Sequence, residues 1–173
     1  MKRLKAITAT LLVFSVLVMP LSTTVRAAQR GGSITTLVSG TTANGVFSGT
    51  LNITKFIVQN GQLAAVGTLT GDVTNSTGTV VSTITGQAVT WPIQSLQATC
   101  DILTLVLGPL HLDLLGLVID LNQVVLTITA QQGSGNLLGN LLCAIAGLLD
   151  NPAPGGALLR AIAALLNQIL GAL

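Results

Sequence analysis

A change of hydrophobic period divides this chain and constrains its fold more than any other feature. From Ser33 to about Gln97, Thr, Val, Ile, Gly and Asn follow one another in broken alternation, the period of half-buried strands. After Gln132-Gly133-Ser134-Gly135 the apolar residues recur instead at helical spacing: Leu137, Leu138, Leu141, Leu142, Ile145, Leu148 and Leu149. Asn151-Pro152-Ala153-Pro154-Gly155-Gly156 breaks this first helix. A second follows, in which Leu158, Leu159, Ile162, Leu165, Leu166, Ile169, Leu170 and Leu173 make one stripe, with Arg160 and Asn167 expected to face away from it. Strands first and helices after predict an α+β chain. Its antiparallel β-sheet, a sandwich or partly closed barrel, carries two C-terminal amphipathic helices packed on it. The boundaries read as a β-rich part over 28–130 and a helical part over 131–173, within one domain.

Inside the β-rich part the clearest local signal is Asn60-Gly61, the dipeptide that best tolerates the positive φ angles of a type I′ turn. It predicts a hairpin of Gly45 to Gln59 and Gln62 to Val73. In the first arm Phe47, Gly49, Leu51 and Ile53 share a face, but Phe56 and Val58 fall on the other parity, which predicts a bulge near Thr54 and Lys55. Gly71 to Gly78, with Asn75-Ser76, reads as the next turn, and further strands are expected at Thr79 to Thr85 and Gln87 to Ile93. The middle is more apolar, with strands expected at Ile102 to Leu107, Leu110 to Leu121 and Val124 to Ala130. The second of these also places Asp113, Gly116 and Asp120 on one helical face; its β-branched flanks favour a strand, buried on both sides.

Ahead of the fold, Lys2, Arg3 and Lys5 precede the apolar run Leu11 to Met19 and then Val25-Arg26-Ala27. A basic start, a short apolar core and small residues before a cut predict a secretory signal peptide over 1–27, cleaved after Ala27. Secretion to an extracytoplasmic site follows. Taking those 27 residues from the 173 leaves 146, enough for a real core. Four of the seven cations leave with the signal. Arg30, Lys55 and Arg160 remain against five Asp, a net charge of about −2. That balance excludes the dense Lys/Arg footprint of nucleic-acid binding. It also leaves little charge repulsion against self-association, since the chain has no Glu and solubility rests on Thr, Ser, Asn and Gln. The interrupted apolar stretches of the mature chain are too short for a transmembrane span. Cys100 and Cys143, an even pair in an exported chain, are expected to form a disulfide. Closing a loop of that length would contribute about 3 to 4 kcal/mol in the chain-entropy picture.

The stretch LGPLHLDLLGLVIDLNQVVLTITAQQGSGNLLGNLLCAIAGLLD, Leu107 to Asp150, resembles the shared segment of a broad group of exported bacterial proteins of unknown function. Its marks are Gly-Pro-Leu at Gly108 to Leu110, Leu-Leu-Gly-Leu at Leu114 to Leu117, and Gly135 to Cys143. The likeness covers about a quarter of the chain and leaves out the Thr-rich first half. It implies bacterial export and a common scaffold, with no catalytic residue or ligand to carry over.

Little in the sequence spells out chemistry. His111 and Asp113, two residues apart on one strand face, are the best polar pair available. Zinc needs three or four ligands, however, so the pair reads as a surface feature and no metal or cofactor is expected. The chain has no Gly-x-Ser-x-Gly elbow, phosphate loop, His-Glu-x-x-His or paired Glu. Trp91 reads as a core plug. The expectation is a non-enzymatic, exported binding protein for a lipid, another apolar ligand or an envelope component. The alternative is a structural or adhesive envelope protein prone to self-association. The stripe Leu158, Leu159, Ile162, Leu165, Leu166 and Ile169 is expected to form an apolar lid on the sheet, or else an outward binding element.

Overall fold

The computed structural model describes residues 31–151 and 156–173. The segment over 1–27 expected to be a signal peptide lies outside the described residues, as does most of the helix break at Asn151 to Gly156. Eight strands precede two helices: β1 (Ile34–Thr42), β2 (Gly45–Gln59), β3 (Gln62–Thr74), β4 (Val80–Ala98), β5 (Ile102–Leu107), β6 (Leu110–Leu114), β7 (Leu117–Leu121), β8 (Val124–Thr129), α1 (Leu137–Asp150) and α2 (Gly156–Ala172). All ladders are antiparallel, in the order β6-β7-β1-β2-β3-β4-β5-β8. The sheet is not closed, and the two helices pack on it, α2 on β2 and β3, α1 on β4 and α2. No helix among the described residues is long and apolar enough to cross a membrane.

The β2–β3 hairpin forms where expected. Asn60 (φ 52°) and Gly61 (φ 75°) make the turn, and its register slips between Ile53 and Lys55. The extra residue, Thr54, lets Phe47, Leu51 and Ile53 on one parity and Phe56 on the other all reach the core. Gly49 and Gly71 face one another across the hairpin. A Cβ on either would stand 2.8 or 2.7 Å from the Phe47 ring, so this cross-strand glycine pair makes room for the aromatic that covers it. Asn75 builds the next turn with its side chain, its Oδ1 accepting from the amides of Thr77 (3.0 Å) and Thr79 (2.9 Å).

Two expectations are corrected here. The strands expected at Thr79–Thr85 and Gln87–Ile93 are one strand, β4, which continues past Gly86. There Gly86 takes φ 62°, the register skips between Leu69 and Gly71, and the Gly86 amide bonds to Thr70 Oγ1 at 3.0 Å. The glycine marks a bulge and does not end the strand. The strand expected at Leu110–Leu121 is instead a hairpin, β6 and β7, turning at Leu115 (φ 56°) and Gly116 (φ 98°). It is not buried on both faces: Leu110, Leu112, Leu114, Ile119 and Leu121 pack toward the core while His111, Asp113, Val118 and Asp120 are exposed.

The middle of the chain decides the architecture. Only Gly108-Pro109 separates β5 from β6, and only Asn122-Gln123 separates β7 from β8, yet β5 and β6 stand toward opposite ends of the strand order. Leu107 faces Val124 and Leu110 faces Leu121, so the register runs unchanged through the interruption. Residues 102–129 are therefore one long kinked hairpin, its root beside β4 and its tip beside β1. The kink is pinned on both sides. Gly108 donates to the Pro92 carbonyl (3.1 Å) and the buried Trp91 indole donates to the Gly108 carbonyl; Asn122 bonds Ser39 through its amide (2.9 Å) and its side chain (3.1 Å). This crossing wraps the sheet around one contiguous core, into which α1 and α2 send Leu142, Ile145, Ile162, Leu166 and Ile169.

Candidate functional site

The walls of the candidate site come from four elements. On β3, Leu63 follows the Asn60-Gly61 turn. On β4 a bulge at Gln94, where the pairing with β5 slips between Ile93 and Ser95, moves the inward parity from Trp91 and Ile93 to Leu96. The end of α1 supplies Leu149, and the first turns of α2 supply Leu158, Leu159 and Ile162. Together they line a groove of 290 Å³ with Gln62, Gln94 and Ser95 among its polar members and, among the described residues, no charged side chain. A larger hollow of 540 Å³ lies at the start of α1, but Ala130, Gly139 and Ala172 make much of its wall, so fewer large aliphatic groups converge there. The interior of the sheet is filled: Trp91, Phe47, Phe56, Leu51 and Leu69 are fully buried.

The apolar stripe of α2 faces the sheet. Ile162, Leu166 and Ile169 are buried, and Leu158, Leu159 and Leu165 are half-buried against the same core. Arg160 is exposed, as expected. Asn167 is not turned away, which corrects its assignment to the outer face. Its Oδ1 accepts from the Phe56 amide and its Nδ2 donates to the carbonyls of Phe56 and Ala163, each at 2.8 Å. β1 pairs with β2 only as far as Ile53, so among the described residues the edge of β2 at Phe56 lacks a strand neighbour. The Asn167 amide group supplies both missing hydrogen bonds and fixes the helix on the bulged arm.

Cys100 and Cys143 lie at disulfide distance, joining the β4–β5 connection to α1. His111 and Asp113 do share the exposed face of β6, but the structure does not pair them. His111 Nδ1 meets Asp120 Oδ1 at 2.5 Å, across the β6–β7 ladder where the two residues are direct partners. Directly opposed residues stand closer than residues two apart on one strand, and Asp113 is already engaged, its Oδ1 accepting the Gly116 amide at 2.9 Å. The His111 and Asp120 side chains are 65% and 64% exposed, so water competes for both. Thr41 is the next residue along this row, opposite Asp120 on β1. That places the carboxylate between imidazole and hydroxyl, whereas nucleophile activation requires the imidazole in the middle. Among the described residues no group of three His, Cys, Asp or Glu side chains is placed to hold a metal ion.

No family model, no curated protein and no solved structure matches this chain. Sequence reasoning found the α2 side of the groove from its helical stripe. It missed Leu63, Ile93 and Leu96, which join the site only through the β3–β4 register and the Gln94 bulge. Asp120 was also missed; a hairpin turn at Leu115-Gly116 was the signal that would have found it.

Proposed function

We propose that this is an exported, non-catalytic binding protein that takes an apolar ligand, such as an alkyl chain, in the groove that Leu149 of α1 and the first turns of α2 form with β3 and β4. The observation that carries this reading is the convergence of seven large aliphatic side chains, without a charge among the lining residues, on a groove of 290 Å³. That size is near the lower end of ligand pockets, roughly 300 to 1,000 Å³. Because the sheet interior is filled by its own side chains, the ligand sits on the helix side. The polar members at Gln62, Gln94 and Ser95 suit a ligand with one apolar end and one wet end. Export is supported by the basic and apolar segments before Ala27, and by the disulfide-distance cysteine pair.

An environment-sensitive fluorescent acyl probe, titrated into the full secreted protein, tests the groove. Saturable binding that is lost in Leu159→Asp and in the groove-filling Ser95→Phe, but retained in His111→Ala, is the expected result. Absence of saturable binding, or binding indifferent to both groove variants, would overturn it. A structural or adhesive role is the second reading, favoured by an uncharged strand edge at the end of the sheet.

A further inference from the structure

The two ends of the strand order are built differently. β6 is five residues long, follows Pro109 and exposes His111 and Asp113, the short, charged kind of edge that resists strand addition. β8, VVLTIT, is six residues with no charge, no Pro, no Gly and β-branched side chains at every position but Leu126. Its register determines which backbone groups have no ladder partner among the described residues. Ala130 donates to the Asp101 carbonyl at 2.9 Å, so the alternation of an antiparallel ladder turns the backbone groups of Val124, Leu126 and Ile128 toward β5. Those of Val125, Thr127 and Thr129 point off the end of the sheet, and all three side chains are exposed, Val125 by 58%. The inner face needs no partner, since Val124 and Leu126 are already buried.

We infer that the β8 edge is a pairing surface for a second copy of this chain, joined antiparallel about a two-fold axis at Thr127. Two properties select that occupant. Head-to-tail growth would seat β8 of one copy on β6 of the next, and the Pro109, His111 and Asp113 of that edge oppose it, so the open edge is left to pair with itself and the assembly closes. The charge balance agrees: β8 brings no charge to the axis, and Asp101 stands one strand behind it. About this axis Thr127 faces the same residue of the second copy and Val125 faces its Thr129. Each facing pair exchanges both backbone hydrogen bonds, and Thr–Thr is a favourable cross-strand pair. The inference does not depend on the groove, and its readout is separate from ligand binding.

Analytical ultracentrifugation of the full oxidised protein, over a concentration series, tests it. The wild type is expected to sediment as a reversible dimer. Thr127→Lys and Thr127→Asp should each lose the dimer species, because like charges would face one another at the axis, with circular dichroism unchanged. An equimolar mixture of the two variants should recover a dimer. A monomeric wild type, a dimer unaffected by either variant, a mixture that stays monomeric, or open-ended polymer in place of a dimer would each overturn the inference.

Discussion

The chain contains two long hairpins that use the same turn and behave differently. β2–β3 turns at Asn60-Gly61 and stays within one run of ladders. The hairpin over 102–129 turns at Leu115-Gly116 with the same pair of positive φ angles, yet passes from a root beside β4 to a tip beside β1. The first has a turn whose residues prefer its conformation. In the second, Leu115 occupies a left-handed conformation that a leucine disfavours, and the turn is held by the Asp113 carboxylate on the Gly116 amide at 2.9 Å. Turn geometry can thus be specified by the turn residues or imposed by a neighbouring side chain together with the packing of both arms. Only the first mode is visible as a dipeptide.

If packing rather than turn preference holds both hairpins, a buried residue should matter equally in each. Leu69→Ala on β3 and Ile119→Ala on β7 both remove a fully buried side chain. Each is expected to cost about 2 to 5 kcal/mol by denaturant unfolding. A β7 variant costing far less would mean that the crossing tip is only loosely docked.

The next effect separates the two hairpins. The edge of β2 depends on a helix for hydrogen bonds at Phe56, so Asn167→Ala should destabilise by about 1 to 3 kcal/mol, the cost of leaving a partly buried amide and carbonyl unpaired. Amide hydrogen exchange at Phe56 should accelerate, with β6 and β7 unaffected. Protection unchanged at Phe56 would show that the clamp is redundant.

The smallest effect concerns the turns themselves. Leu115→Asn places a residue tolerant of left-handed φ at a position where leucine is fully exposed, and should stabilise by about 0.5 to 1 kcal/mol. Asn60→Leu should lose a similar amount. Thermal melts of both variants, moving in opposite directions, would establish that the turns differ in sequence preference and agree in shape.

What the sequence made legible follows this division. Local chemistry was readable: the Asn60-Gly61 turn, the bulge at Thr54 from a parity change, the two helices from their period, and the packing of the α2 stripe. The Leu115-Gly116 turn was hidden because four apolar residues from Leu114 to Val118, broken only by Gly116, mask a parity change between Leu114 and Leu117 that a two-residue turn explains. Gly86 was over-read, since a bulge and a strand end call for the same positive φ. Pairings set by tertiary structure left no local mark. The β7–β1 ladder, the Asn167 contact with Phe56 and the β4 side of the groove all join residues whose neighbours in the chain say nothing of the meeting. Of the seven large aliphatic side chains of the candidate site, only the three that α2 presents, Leu158, Leu159 and Ile162, were therefore readable.

The kinked hairpin also bears on the order of assembly. From β1 to β5 each strand pairs with its sequence neighbour, so those ladders can zip along the chain with little loop-closure entropy at any step. The outer half of the hairpin meets β1 through the ladder from Gly40–Leu121 to Thr42–Ile119, and the clamp on Phe56 comes from a residue 111 positions away. These are the high contact-order events, and they are the ones expected to limit the rate. Until they occur, β1 and the far arm of β2 present raw edges to other chains. Nascent molecules are most vulnerable to misassembly in that interval, and folding speed depends less on the long Thr-rich meander than on how soon residues 102–129 swing across it.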